Sequence, residues 1–353
     1  MYMTFAKHRK ICALALILLI LAGACQANPV IVVPTVPEIG EQIPESVTPE
    51  EAATLRSLRQ VDDYPLYTMA YEGDYSRGAS LEGTSEMWRE KEGWACSLIA
   101  VLGDPNDMLL GRNFDWDFSP GLLLFTDPSD GYGSVSMVDI AYLGYSGSRA
   151  YGIMDLPLEE RTGLLDAPYI PFDGMNEAGL VVGMAAVPPG GMEHDPDKET
   201  VDSVMVIRMM LDQAATIEEA VEIIKSVNID MQGNYLHYMI AEKSGRSVLV
   251  EFSRGEIVVQ NNTETWQAAT NFLLSEAGKN PESQCRRYGM ISRELERGQG
   301  QISPQKTMDL LENVAQESTQ WSVVYRVNKR EINIVMGGEY DRVYNFVFEV
   351  SDQ

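Results

Sequence analysis

Positive charge is scarce in this 353-residue chain. Its 27 Lys and Arg stand against 52 Asp and Glu, for a net charge of -25 and a pI near 4.4. A phosphate backbone is gripped by clustered cations, so nucleic acid is excluded as a partner. A polybasic attachment to a membrane surface is excluded on the same ground. Histidine is scarcer still, with only His8, His194 and His237. His8 lies in the leader, and neither of the others sits in a recognisable motif for a Ser-His-Asp or Cys-His pair. HExxH, CxxC, paired histidines and a glycine-rich phosphate loop are all missing, so no metal and no cofactor are expected. Four cysteines are too few for a disulfide-built scaffold, and there is no internal repeat. What remains, 45% hydrophobic and 22% charged residues, is the composition of an ordinary globular protein with ample chain for a core.

The first 25 residues are an address. Lys7, Arg9 and Lys10 precede an apolar run over residues 11–21, the pattern of a secretory signal and too short to span a membrane comfortably. Leu21-Ala22-Gly23-Ala24-Cys25 resembles a bacterial lipobox, in which Cys25 would be lipidated and become the mature N-terminus. Plain cleavage after Ala24 is the alternative. The protein is therefore expected to be exported, anchored outside the cell membrane by a lipid or else secreted or periplasmic. Residues 26–47 hold four prolines, three glutamates and no Lys or Arg, which reads as an extended, solvated linker. Order is expected to begin at Thr48-Pro49-Glu50-Glu51, a capping box with Pro at the first helical position, opening a helix to about Gln60.

From Trp94 onward the pattern is short strands with turn punctuation. Residues 97–102 and 108–112 flank Gly103-Asp104-Pro105-Asn106-Asp107, a hairpin turn. Residues 179–186 read as a buried strand whose glycines admit a close backbone. Residues 235–241, 247–252 and 256–260 form one meander, and 321–326, 331–336 and 344–350 a second. Helices are expected from Ser203, from the capping box Thr216-Ile217-Glu218-Glu219, and from Ser303-Pro304 to about Val314. Antiparallel strands interrupted by helices imply an α+β layered domain, not an alternating βαβ sheet. Residues 128–170 have no clear period.

Only Cys96 and Cys285 lie in the body of the chain. They could pair in an exported protein, or one could be kept as a thiol for its chemistry. Cys96 opens the strand Cys-Ser-Leu-Ile-Ala, and across the turn stands Gly111-Arg112-Asn113-Phe114-Asp115-Trp116. Arg and Asp in an apolar neighbourhood need partners. If the hairpin returns them to Cys96, Arg112 lowers the thiol pKa and Asp115 anchors a nearby amine.

These segments resemble the start of the choloylglycine hydrolase and acid ceramidase group, which also contains the penicillin acyltransferases. Further matches follow in order: Asn176-Glu177-Ala178-Gly179-Leu180, Thr270-Asn271, Arg286-Arg287-Tyr288 and Thr319-Gln320-Trp321-Ser322. The resemblance covers roughly residues 94–353. It implies an N-terminal-nucleophile (Ntn) hydrolase: a four-layer αββα sandwich of two antiparallel sheets covered by helices. By the same resemblance, Cys96 would be the nucleophile, exposed when the Ala95–Cys96 bond is cut, with its own α-amino group as base. Residues 48–95 would be the propeptide segment and 96–353 the catalytic domain. Arg112 and Asp115 would hold the thiolate and the amine. Asn271 and the backbone N–H of Ala186 would bind the oxyanion, and Arg287 or Arg286 would complete the site. In the bile-salt branch the Ala186 position is Asn, a departure that weakens a bile-salt assignment.

Read alone, several of these residues have plainer roles. Asn176 and Gly179 fit a tight turn, the tryptophans fit a core, Glu177 and Asp117 fit a solvated surface, and Cys285 a structural thiol. The leading expectation is an exported, self-processing amidase acting on a small-molecule N-acyl amide through a thioester on Cys96. Acyl transfer to an amine and a ligand-binding lipoprotein without chemistry are the alternatives. Membrane contact would come only through the lipid anchor, and the oligomeric state is left open.

Overall fold

The computed structural model describes residues 30–31, 43–75, 95–231 and 235–349. The signal peptide, the lipobox with Cys25, and Trp94 lie outside the described residues. Two sheets face each other. The seven-stranded sheet has the order β1 (Val30–Ile31), β18 (Tyr344–Val347), β17 (Glu331–Met336), β16 (Thr319–Arg326), β5 (Leu109–Asp115), β4 (Ser97–Val101) and β15 (Trp266–Ala269). The nine-stranded sheet runs β14 (Glu256–Asn261), β13 (Ser247–Ser253), β12 (Leu236–Glu242), β9 (Leu180–Ala186), β8 (Pro171–Asn176), β7 (Ser134–Asp139), β6 (Gly121–Thr126), β3 (Leu66–Tyr71) and β2 (Arg59–Asp62). A short parallel pair, β10 (Thr200–Asp202) with β11 (Asn228–Asp230), stands apart.

Helices cover both outer faces. α5 (Arg286–Arg297) and α6 (Pro304–Val314) pack on the seven-stranded sheet, and α3 (Met205–Gln213) and α4 (Ile217–Ser226) on the nine-stranded one. The layering is αββα, and it follows from alternation along the strands. On β4, Leu98 and Ala100 face the inter-sheet core, while Ile99 and Val101 join the outer cluster with Tyr288, Ile291 and Leu295 of α5. Both expected meanders and the 97–112 hairpin form in antiparallel register. Both capping boxes also close, at Thr48/Glu51 on α1 (Pro49–Arg56) and at Thr216/Glu219 on α4.

Four expectations change. α1 ends at Arg56, and Arg59 already belongs to β2. The linker is not wholly unstructured, because Val30–Ile31 pairs in parallel with β18. Each sheet therefore holds one parallel pair, β1 with β18 and β3 with β6, and in both the added strand comes from the chain before Cys96. Finally, the close neighbours of Gly183 are side chains, not backbone: a Cβ there would meet Leu98 Cδ2 at 2.8 Å and Leu110 Cδ2 at 3.4 Å. The unplaced stretch 128–170 contains β7, the short helix α2 (Leu158–Arg161) and several 3-10 turns. No helix among the described residues is long and apolar enough to cross a membrane.

Candidate active site

The hairpin β4–β5 does return Arg112 to Cys96. Cys96 precedes β4 and is 1% exposed. Arg112, one turn of the hairpin away, is paired in register with Leu98 and points between the sheets. Its Nη2 comes to 4.0 Å from the Cys96 sulfur. Its Nη1 donates to the Phe172 carbonyl at 2.8 Å and to the carboxylate of Asp173. Asp173, on β8 of the opposite sheet, also accepts the Tyr325 hydroxyl. Arg112, Asp173 and Tyr325 are all fully buried.

The expected pull of Arg112 on the thiol is present but outweighed. Arg112 does favour the thiolate, but burial is the larger effect and pushes the Cys96 thiol above its ordinary value. The Asp115 charge adds to the rise, and the Arg112 guanidinium is itself paired with the buried Asp173 carboxylate. The backbone N–H of Asp115 also donates to the sulfur. The Asp115 carboxyl lies at the end of β5, where Oδ1 accepts from Thr319 Oγ1 at 2.5 Å. Its Oδ2 is buried with no hydrogen-bond partner among the described residues. Burial raises this carboxyl from 3.8 to about 6, against the pull of Thr319, Arg287 and Arg112.

Of the two adjacent arginines, Arg287 reaches the site and Arg286 is exposed to solvent. Arg287 Nη1 donates to the Cys96 carbonyl and, at 2.9 Å, to Ser97 Oγ. Its Nη2 donates to Asn271 Oδ1 at 2.6 Å. The Asn271 amide nitrogen in turn donates to the Ala186 carbonyl at 2.8 Å. Ala186 closes β9. The next residue, Val187, gives its N–H to Tyr235, so alternation turns the Ala186 N–H away from β12. Cys96, Arg112, Asp115, Asn271, Arg287 and Ala186 thus form one connected group, and Ala95 leads into it half-buried. Cys285 stands beside it at the start of α5. Both it and Cys96 are free thiols, so the disulfide does not form. Burial pushes the Cys285 thiol up, but hydrogen bonds from Thr270 and from the backbone of Tyr288 and Arg287, with the Arg287 charge, bring it below the ordinary value.

The plainer readings also find their places. Asn176 Oδ1 accepts the Leu180 N–H, and Gly179 takes φ +91°, a turn that only glycine enters easily. Trp321 is fully buried, its ring tilted 31° against that of Phe114. Glu177 is not simply solvated, since it accepts the Gly133 N–H at 3.0 Å. Sequence reasoning missed Asp173. It sits three residues before Asn176, and its one signal was the single acid in the strand 171–176.

Two facing sheets covered by helices on both outer faces are the αββα sandwich of the Ntn-hydrolase class. A mutant of the conjugated bile acid hydrolase from Clostridium perfringens has this fold at a TM-score of 0.52 and 15% identity, over 73% of this chain and 93% of that one. The penicillin acyltransferase family model, described as acyl-coenzyme A:6-aminopenicillanic acid acyl-transferase, matches residues 171–346. The chain belongs to the choloylglycine hydrolase and acid ceramidase group of Ntn hydrolases. Two other solved structures are similar at lower scores. They are penicillin V acylase from Agrobacterium tumefaciens (TM-score 0.48, 18% identity, 68% of this chain and 83% of that) and the Caenorhabditis elegans ortholog of N-acylethanolamine-hydrolyzing acid amidase (TM-score 0.46, 14%, 66% and 93%). A search of the curated proteins gives no match.

Proposed function

We propose that this protein is an exported cysteine amidase that first cuts itself before Cys96 and then hydrolyses the C–N bond of a linear N-acyl amide. The observation that carries the reading is the single hydrogen-bonded group running from Cys96 through Arg287 and Asn271 to Ala186. In the first step the Cys96 sulfur attacks the Ala95 carbonyl carbon. The Ala95–Cys96 C–N bond breaks, the Cys96 nitrogen takes a proton and becomes an α-amine, and a thioester joins Ala95 to the sulfur. Water then releases the Ala95 carboxylate and the free thiol. Buried and short of a partner, Asp115 Oδ2 is the acceptor for the new α-ammonium.

In turnover the α-amine, with an ordinary pKa of about 7.7–8, takes the thiol proton. The thiolate attacks the substrate carbonyl, and the leaving amine receives the proton back. The oxyanion is held by the Ala186 N–H and by Asn271, whose amide has two N–H groups and gives one to Ala186. Arg287 holds the other end of Asn271. Water then attacks the thioester to regenerate the thiol.

The cut need not separate the pieces. Leu55, Leu66, Tyr67 and Met69 are fully buried, and Tyr75 OH donates to Asp212 at 2.7 Å. Burial of this apolar surface favours the helix and two strands staying seated after the peptide bond is cut. A lipid on Cys25 would then still tether the catalytic chain. Acyl transfer to an amine is the second reading, favoured by the acyltransferase family model over residues 171–346.

The test is a mass spectrum of the protein quenched in acid during turnover of an acyl-p-nitroanilide. An acyl mass on a peptide beginning at Cys96 is expected, and added hydroxylamine as acceptor separates hydrolysis from transfer. Turnover with the acyl group on any other residue would sink the assignment.

A further inference from the structure

Asn271 is carried by a loop, and so is the chain that follows Ala186. A donor on a loop must be held by something rigid, because an oxyanion donor misplaced by 1 Å loses much of its effect. Both loops are fixed to the same three residues of β13. The Glu251 carboxylate, fully buried, accepts the Leu274 N–H on Oε1 at 2.7 Å and the Ser275 N–H on Oε2 at 2.8 Å. These are the first two N–H groups of the 3-10 turn Leu274–Glu276, three residues after Asn271. At Ser253, Oγ bonds Glu276 at 2.6 Å, closing the far side of that turn. Between them, the Phe252 carbonyl accepts the Gly191 N–H at 3.3 Å, and a Cβ on Gly190 would stand 2.0 Å from the same oxygen. The loop leaving Ala186 is thereby pressed onto β13.

The rest of the Glu251 carboxylate is also taken. Gln260 Nε2 donates to Oε2 at 2.6 Å, and His237 Nδ1 lies 3.3 Å from Oε1. His237 is fully buried on β12, directly opposite Ala185 in register. Burial alone would push the Glu251 carboxyl up, yet the bonds from His237 and Ser275 keep it below the ordinary glutamate value, so an ionised acceptor persists. A buried carboxylate with four donors, two of them backbone N–H groups of one loop, is more than a packed strand requires.

We propose that Glu251 is a positioning residue for the oxyanion donors: it fixes the Asn271 loop to β13, against which the Ala186 loop is also seated, with His237 as its buried partner. The inference rests on the reading of Asn271 and Ala186 as the oxyanion donors. Glu251 touches no reacting atom, so its loss acts only through the placement of Asn271.

The test uses the full chain as wild type, Glu251→Gln and Leu274→Pro, with acyl-p-nitroanilides from acetyl to dodecanoyl as probes. Gln cannot accept both N–H groups, because its amide nitrogen faces one of them. Leu274→Pro removes one N–H at the first position of the turn, after a residue that is already extended, so the backbone tolerates it. Glu251→Gln is expected to lower kcat about 10- to 100-fold with KM little changed, and Leu274→Pro about 3- to 10-fold. The alkylation rate of Cys96 by iodoacetamide, read by peptide mass, is expected to stay at the wild-type value in both. A folded Glu251→Gln protein with wild-type kcat would overturn the proposal. So would a parallel fall in kcat and Cys96 alkylation, which would place the effect on the thiol. If Glu251→Gln does not fold, Leu274→Pro decides: wild-type kcat in that variant overturns the proposal. A wild-type protein that neither cuts itself nor turns over any probe sinks the amidase reading, and this inference with it.

Discussion

The two sheets divide the labour. The seven-stranded sheet carries the groups that would react: Cys96 before β4, with Arg112 and Asp115 on β5. The nine-stranded sheet carries the groups that hold them: Asp173 and the Phe172 carbonyl on β8, Ala186 on β9 and Glu251 on β13. Chemistry and support meet across the inter-sheet core, where Arg112 lies between a thiol on its own side and a carboxylate on the other. The lesson is that the charge of Arg112 is committed to the fold before it is offered to the sulfur. Variants of the groups around the thiol should therefore remove activity and spare stability, and variants of the buried Arg112–Asp173–Tyr325 network that joins the two sheets should cost stability.

The sharpest break comes from Asp173→Asn. It strands Arg112 as an unpaired buried cation, and unfolding in urea is expected to show a loss of about 3–5 kcal/mol. An Asp173→Asn protein as stable as wild type would dissolve the division. Next in size is the contrast between the neighbouring arginines. Arg287→Ala should lower turnover of an acyl-p-nitroanilide about 100-fold, because Asn271 loses its anchor. Arg286→Ala, on an exposed side chain, should leave it within about twofold. Equal losses in the two would move the site. Tyr325→Phe tests the supporting network more gently. It removes one hydrogen bond to Asp173 and keeps the ring, so about 1 kcal/mol of stability should go.

The smallest effect is a slope. Burial raises Asp139 from 3.8 to about 7 and, with Asp115 and Asp202 at about 6, makes the folded state bind protons more tightly than the unfolded chain. The sign follows: this contribution to stability is complete below pH 3.8 and is lost as pH rises through about 6 to 7. Hydrogen bonds from Ser119 and from the Ala141 N–H favour the Asp139 carboxylate but do not offset its burial. Asp139→Asn should therefore raise the melting temperature more at pH 8 than at pH 4, and flatten its pH dependence. An unchanged slope would assign the titration elsewhere.

Much of this was legible in the sequence because it was written locally. Gly103-Asp104-Pro105-Asn106-Asp107 announces the hairpin that returns Arg112 to Cys96, and the boxes at Thr48/Glu51 and Thr216/Glu219 announce two helices. The order of the motifs from Cys96 to Arg287 was enough to assemble the candidate site on paper. What was hidden is either non-local or masked by composition. Asp173 and Glu251 look like outward-facing acids on strands, but both sheet faces are covered, so each is buried against a partner that no spacing rule connects to it. α5 was overlooked because its arginines and glutamates obscure Tyr288, Ile291, Ser292 and Leu295, which recur at the helical period on the buried face. Of the parallel strands from before Cys96, β1 is only two residues and carries no period, and nothing local in β3 points to β6 as its partner.

The central claim is that the supporting sheet and the N-terminal segment hold together a chain whose reactive centre is made by its own cleavage. Intact mass and N-terminal sequencing of purified protein, wild type beside Cys96→Ala and each after size exclusion, test this most directly. The account predicts a wild-type fragment beginning at Cys96 that co-elutes with the chain before it, and an uncut Cys96→Ala protein. Wild-type protein that remains whole at Ala95–Cys96 would contradict it.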